Sequence, residues 1–60
     1  MPVVNIEWLE GRTVAQKREI AKKVTETLVQ VIACPAEAVT VIFNDHPRHD
    51  IAKGGKLYSD

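Results

Sequence analysis

One run of side chains decides most of what this chain can become. Ile20, Val24, Leu28 and Ile32 recur every fourth residue, and Ala21 and Val31 widen the stripe, so the middle of the chain reads as an amphipathic helix. Lys17, Arg18, Lys22, Lys23 and Glu26 fall mostly off that stripe and form a solvated face. Glu19 precedes Lys23 in the favourable i,i+4 order. Thr13-Val14-Ala15-Gln16 opens the helix as a capping box, in which the hydroxyl accepts from the Gln16 N–H and the Gln16 side chain reaches back. Pro35 closes it, because the residue before a proline avoids helical geometry.

Strand patterns flank this helix. From Met1 to Glu10, Pro2, Val4, Ile6 and Trp8 fall on one face and Val3, Asn5, Glu7 and Leu9 on the other, the period of two expected of a strand. Pro2 fits only at the beginning, where its missing N–H costs no ladder bond. Gly11 then breaks the strand. Val39 to Asn44 reads as a second strand, with Val39, Val41 and Phe43 on one face and Thr40, Ile42 and Asn44 on the other. His46-Pro47 ends it. Gly54-Gly55 lies between Ile51-Ala52 and Leu57-Tyr58 and suggests a short terminal hairpin. The predicted fold class is α+β. Residues 1–60 form one domain, a single βαβ unit with parallel strands and a right-handed crossover, followed by that hairpin.

This architecture leaves an apolar surface unaccounted for. One helix covers one face of a two-stranded sheet, yet Val4, Ile6 and Trp8 cannot share a side with Val3 and Leu9. The C-terminal tail is thirteen mostly polar residues and can hide only part of the remainder. A chain of 60 residues buries only about 60% of the surface its unfolded form exposes, so a lone monomer is marginal. Disulfides, metals and self-association are the usual remedies. Cys34 is the only cysteine, which removes the first and any cysteine-rich zinc site. Self-association remains, with sheets completed across subunits.

Composition excludes several classes of function. Eight Lys plus Arg balance eight Asp plus Glu, without the basic excess of a nucleic-acid binder. No apolar run approaches the roughly 18 residues that span a bilayer. No basic segment followed by an apolar one marks a signal peptide, so the expected location is cytoplasmic. Phosphate-cradling, dinucleotide-binding and HExxH motifs are all missing, and no cofactor is expected. Cys34, at the electronegative end of a helix, reads as an inert small hydrophobe. His46 and His49 have H-x-x-H spacing on an apparent loop, but two imidazoles without a third ligand make a poor metal site.

Pro2 stands out. Initiator methionine is generally removed before a residue as small as proline, which would free a secondary amine that no other residue can supply. Desolvation and a nearby cation both disfavour its protonated form, drawing it toward the neutral range where a general base works best. The alternative is a proline that merely starts an edge strand.

Met-Pro-x-x-x-Ile, then Leu9-Glu10-Gly11-Arg12-Thr13 and a capped helix with Gln16-Lys17, resembles the 4-oxalocrotonate tautomerase family. Pro35, the Val39–Phe43 strand and Gly54-Gly55 extend the resemblance over essentially the whole chain. It implies an isomerase, a cofactor-independent keto–enol tautomerase acting on small 2-hydroxydienoate or enolpyruvate-type carboxylates. It also implies a homohexamer built as a trimer of dimers. Pro2 is then the catalytic base and acid, and Arg12 the guanidinium that engages and polarises the substrate carboxylate. The backbone of Leu9 helps position substrate, while Trp8, Ile51 and Phe43 supply an apolar wall.

The departures from the family pattern are specific. Thr40 stands where the relative acting on 4-oxalocrotonate carries a second arginine, and Ile51 stands where it has an aromatic wall. Arg48 and Lys53 are the candidate substitutes for the missing charge. Two alternatives follow: a non-catalytic or partner-dependent subunit of a mixed hexamer, and a hydratase or dehalogenase that uses an extra carboxylate from Glu7, Asp45 or Asp50.

Overall fold

A computed structural model describes all 60 residues. Strand β1 spans Val3–Leu9, helix α1 Val14–Ile32 and strand β2 Thr40–His46. The chain ends in a two-residue-per-strand hairpin, β3 (Ala52–Lys53) and β4 (Lys56–Leu57). Short 3-10 turns at Ala36–Ala38 and Arg48–Asp50 flank β2. β1 and β2 pair in parallel, from Val3 opposite Thr40 to Leu9 opposite His46. The expected βαβ unit is present.

Local chemistry accounts for the boundaries. The capping box forms as read, with Gln16 N–H donating to Thr13 Oγ1 at 3.1 Å and Thr13 N–H donating to Gln16 Oε1 at 2.9 Å. Gly54 and Gly55 both have positive φ, which the hairpin's two-residue turn requires. The second strand runs two residues beyond its expected end, so His46 belongs to β2 rather than to a loop. Helix α1 stops at Ile32, short of Pro35. Ala33 adopts a left-handed conformation (φ 56°) and its N–H still bonds Val29 O at 3.1 Å, so the helix has ended before Cys34, the residue that precedes the proline. A Cβ in that region costs on the order of 1 kcal/mol. Ala33→Gly is therefore expected to raise stability by up to about 1 kcal/mol, measurable by thermal denaturation of the assembled protein.

The helix covers the face carrying Val4, Ile6, Trp8, Val41 and Phe43, all half-buried. The opposite face is bare, with Val3 49% and Ile42 41% exposed. The terminal hairpin does not fold back over it; β4 packs on the Arg48–Asp50 turn and every residue from Ala52 to Asp60 is exposed. Not one of the 60 residues is buried. The chain measures 44 × 23 × 13 Å with a radius of gyration of 14.6 Å, against about 10 Å for a compact domain of this length. Its accessible surface is 4575 Å², whereas a compact monomer of 6.7 kDa exposes about 3,900 Å². A flat two-layer sheet with an extended arm has no interior of its own.

Candidate functional site

The sequence-identified residues gather at two ends of β1. At its head, the Pro2 carbonyl accepts the Thr40 N–H at 3.0 Å, which locks Pro2 into the sheet through its carbonyl and leaves the ring nitrogen outside the ladder. Met1 is 92% exposed, so its loss removes almost no packing. Thr40 starts β2 beside this proline and brings no charge there.

Arg12 lies beyond the far end of the strand. Gly11, at φ 122°, makes a turn that side-chain-bearing residues rarely adopt and brings Arg12 back over β1. The guanidinium lies over the Trp8 ring, 5.0 Å from its centroid, and Nη1 donates to Leu9 O at 2.8 Å. Trp8 in turn stacks on Phe43, with ring centroids 5.4 Å apart and planes inclined by 20°. Its Nε1–H donates to Asp45 Oδ1, and Lys17 Nζ lies 2.6 Å from Asp45 Oδ2. Trp8 and Arg12, together with Gln16 and Ile20, line an open groove of about 530 Å³ along α1.

The sequence alone offers Asp45 only as one of three candidate extra carboxylates. The better signal was its position: it follows Val41 and Phe43 on the helix-facing side of β2, and a carboxylate on an apolar face needs donors. The Lys17 ammonium and then the Trp8 indole N–H hold its carboxyl below the ordinary value of 3.8. A depressed carboxyl contributes stability that is present well above that ordinary value and is lost as pH falls through the lowered one. The melting-temperature advantage of wild type over Asp45→Asn is therefore expected to be constant near neutrality. It should shrink once the pH drops below 3.8, and thermal scans across that range check this.

The remaining candidates fall elsewhere. Glu7 sits on the bare face, where its Oε2 accepts from Asn44 Nδ2 at 2.5 Å and its Oε1 lies 2.6 Å from His46 Nε2. His49 lies 3.5 Å from Asp50 Oδ1, so the two histidines have separate carboxylate neighbours. No set of three His, Cys, Asp or Glu side chains converges. Arg48 and Lys53 make no side-chain hydrogen bond or ion pair. Ile51 is half-buried, and its carbonyl takes the Tyr58 N–H at 2.9 Å. Within one chain, Leu9, Trp8 and Arg12 come together and Pro2 meets Thr40. Five strand residues, Val3 to Glu7, lie between Pro2 and Trp8, a separation of about 20 Å at the rise of a strand.

Comparison with known proteins is consistent across three kinds of match. The family described as "Tautomerase enzyme" matches residues 2–60. A probable tautomerase of Lactococcus lactis subsp. lactis is 46% identical over 57 residues, covering 95% of this chain and 93% of that protein. One from Streptococcus pneumoniae serotype 4 is 51% identical over 57 residues, covering 95% of each. A crystallised 4-oxalocrotonate tautomerase homologue superimposes with a TM-score of 0.94 at 38% identity, over 100% of this chain and 95% of its own. A 4-oxalocrotonate tautomerase isozyme from Methylibium petroleiphilum gives 0.85 at 34% identity, over 97% and 94%.

Proposed function

We propose, from the premise that this chain belongs to the tautomerase family, that it is a cofactor-independent keto–enol isomerase of small enol carboxylates. Pro2, freed of Met1, is the base that takes the enol hydroxyl proton. The O–H electron pair becomes the carbonyl π bond, the displaced alkene pair reaches for a proton at carbon, and the pyrrolidinium returns the one it took. Arg12 binds the substrate carboxylate and draws electron density along the conjugated system. No redox step or Lewis acid is needed for this transfer.

The observation that carries this reading is the position of Pro2, held in register by its carbonyl while Met1 projects into solvent. On this reading a second chain supplies the arginine, since Arg12 of the same copy is a strand's length away. Parallel pairing with β2 turns the backbone groups of Pro2, Val4, Ile6, Trp8 and Glu10 toward β2. Those of Val3, Asn5, Glu7 and Leu9 face a free edge. A second copy adding antiparallel along that edge, with Ile6 opposite Ile6, sets Val4 against Trp8 and Asn5 against Glu7. Shifting the axis to Glu7 would oppose two carboxylates instead. In the Ile6 register Pro2 faces the partner's Glu10, two residues from the partner's Arg12. The partner's guanidinium then helps keep the amine neutral. Further dimers joining through the bare sheet face would complete a hexamer.

Thr40 leaves this site one charge short of two guanidiniums. That favours monocarboxylates such as phenylenolpyruvate over dicarboxylates, with Arg48 or Lys53 as the remaining cations. It also favours a second reading, a subunit that completes its site with a different chain. The test is ketonisation of phenylenolpyruvate and 2-hydroxymuconate by purified protein whose intact mass shows Met1 removed. Pro2→Ala and Arg12→Ala are each expected to lower kcat/KM at least about tenfold, some 1.4 kcal/mol of transition-state stabilisation. Wild-type activity should rise with pH through the amine's ionisation. Turnover indifferent to Pro2→Ala overturns the mechanism. An inactive pure protein that becomes active with a second chain favours the mixed assembly.

A further inference from the structure

We propose that Trp8, Asp45 and Lys17 form a positioning device that aims the Arg12 guanidinium. This rests on the tautomerase reading, in which Arg12 touches substrate, and assigns those three residues no contact with it.

Each link is a direct side-chain contact. Asp45 divides its two oxygens, giving Oδ1 to the Trp8 indole N–H and Oδ2 to Lys17 Nζ at 2.6 Å. The Lys17 and Asp45 side chains are only 27% and 31% exposed, so water competes for this pair less than for the open Glu19–Lys23 pair at 66% and 71%. The indole is anchored at its nitrogen by Asp45 and stacked on Phe43, contacts that hold it on two sides. Its face therefore presents a fixed surface to a cation at 5.0 Å, within the range in which the ring quadrupole attracts a guanidinium. The Leu9 carbonyl takes one of Arg12's five N–H donors at 2.8 Å. Ring and carbonyl together restrict a long side chain on a glycine turn, and the other donors stay available for a two-oxygen ligand.

Lys17 has a second consequence. A carboxylate beside an arginine would ordinarily capture it, yet Arg12 forms no ion pair with Asp45 or with any other acid. Lys17 occupies the oxygen that would compete with substrate. The Asp45 carboxyl also feels the Arg12 charge, as the weakest of the influences that lower it. The device thus brings a negative group close enough to order the site while its charge is largely met elsewhere. An orienting contact of this kind raises effective concentration without adding a bond to the substrate.

A double-mutant cycle on the assembled protein tests this, with kcat/KM for phenylenolpyruvate as the readout. Trp8→Leu is expected to cost about tenfold in the wild-type background and nothing further in Arg12→Ala, because a group acting only through Arg12 has nothing left to act on. Trp8→Phe, which retains a ring face, should recover most of the loss. An equal loss in both backgrounds, or none in wild type, overturns the proposal. Should Trp8→Leu fail to assemble, Asp45→Asn enters the same cycle with the same two outcomes deciding it. A second readout needs no activity. Trp8 is the only tryptophan, so Arg12→Ala should shift its fluorescence emission, and unchanged emission overturns the contact. Wild-type protein without turnover would defeat the tautomerase reading instead, and the emission measurement would still judge the Arg12–Trp8 link.

Discussion

Mixing Pro2→Ala protein with Arg12→Ala protein, each at least about tenfold below wild type alone, should raise activity once subunits exchange. Pro2 and Arg12 lie at opposite ends of a seven-residue strand, so in the proposed dimer each site takes one residue from each of two copies. In a mixed dimer, one site carries both substitutions and the other carries neither. Random exchange makes about half of the dimers mixed, each with one intact site of two, so recovery approaches about a quarter of wild-type activity. The measurement is turnover before and after mild dissociation and reassembly of the mixture. A site confined to one chain would show no recovery, because every chain then carries a defect. The experiment separates a shared site from a site within one protomer even if all single variants behave alike.

Ile42→Asp is expected to abolish assembly and, with it, cooperative folding. Ile42 is 41% exposed near the centre of the bare sheet face, opposite Asn5 across the strands and diagonal to Val3. An unpaired carboxylate there would be desolvated in every copy by any chain that covers the face, at a cost of several kcal/mol per subunit. The protomer has no buried residue to fall back on, so a monomer released this way lacks the apolar interior that sustains a sharp transition. Sedimentation should show a monomer, and thermal scans a broad melt. Wild type should instead melt at a temperature that rises with protein concentration, as mass action requires when folding and association are coupled. An Ile42→Asp protein that remained assembled with an unchanged melting temperature would mean that the face is open in the native state.

Periodicity was enough to locate the strand, helix and strand, and a glycine pair the hairpin. The fourfold spacing from Ile20 to Ile32, the alternation from Pro2 to Leu9 and the Gly54-Gly55 pair each belong to a local conformation that neighbouring residues decide. The end of α1 was less legible. Pro35 forbids helix at Cys34, but nothing in the sequence indicated that Ala33, without a glycine's freedom, would take the left-handed cap. The end of β2 was also misread, because His46 and Asp45 look like loop residues until their partners across the sheet, Leu9 and Trp8, are known.

Pro2 stands out by residue type, as a terminal secondary amine with no ordinary substitute, and Arg12 through the resemblance of Leu9-Glu10-Gly11-Arg12 to the family pattern. The distance between them is not legible in the sequence, because it depends on the course of β1. Trp8 looked like a wall residue. Its place between Phe43, Arg12 and Asp45 depends on the parallel register that sets position 8 beside position 45. Lys17 appeared as one charge among several on a solvated helix face, and only the way α1 lies across the sheet turns it onto Asp45. The sequence by itself determined the elements and the reactive groups, which are properties of short segments and of single side chains. The tertiary structure decided which charges meet across the sheet, what anchors the ring beneath the arginine and how much surface is left bare, because those follow from contacts between residues about 30 to 40 positions apart.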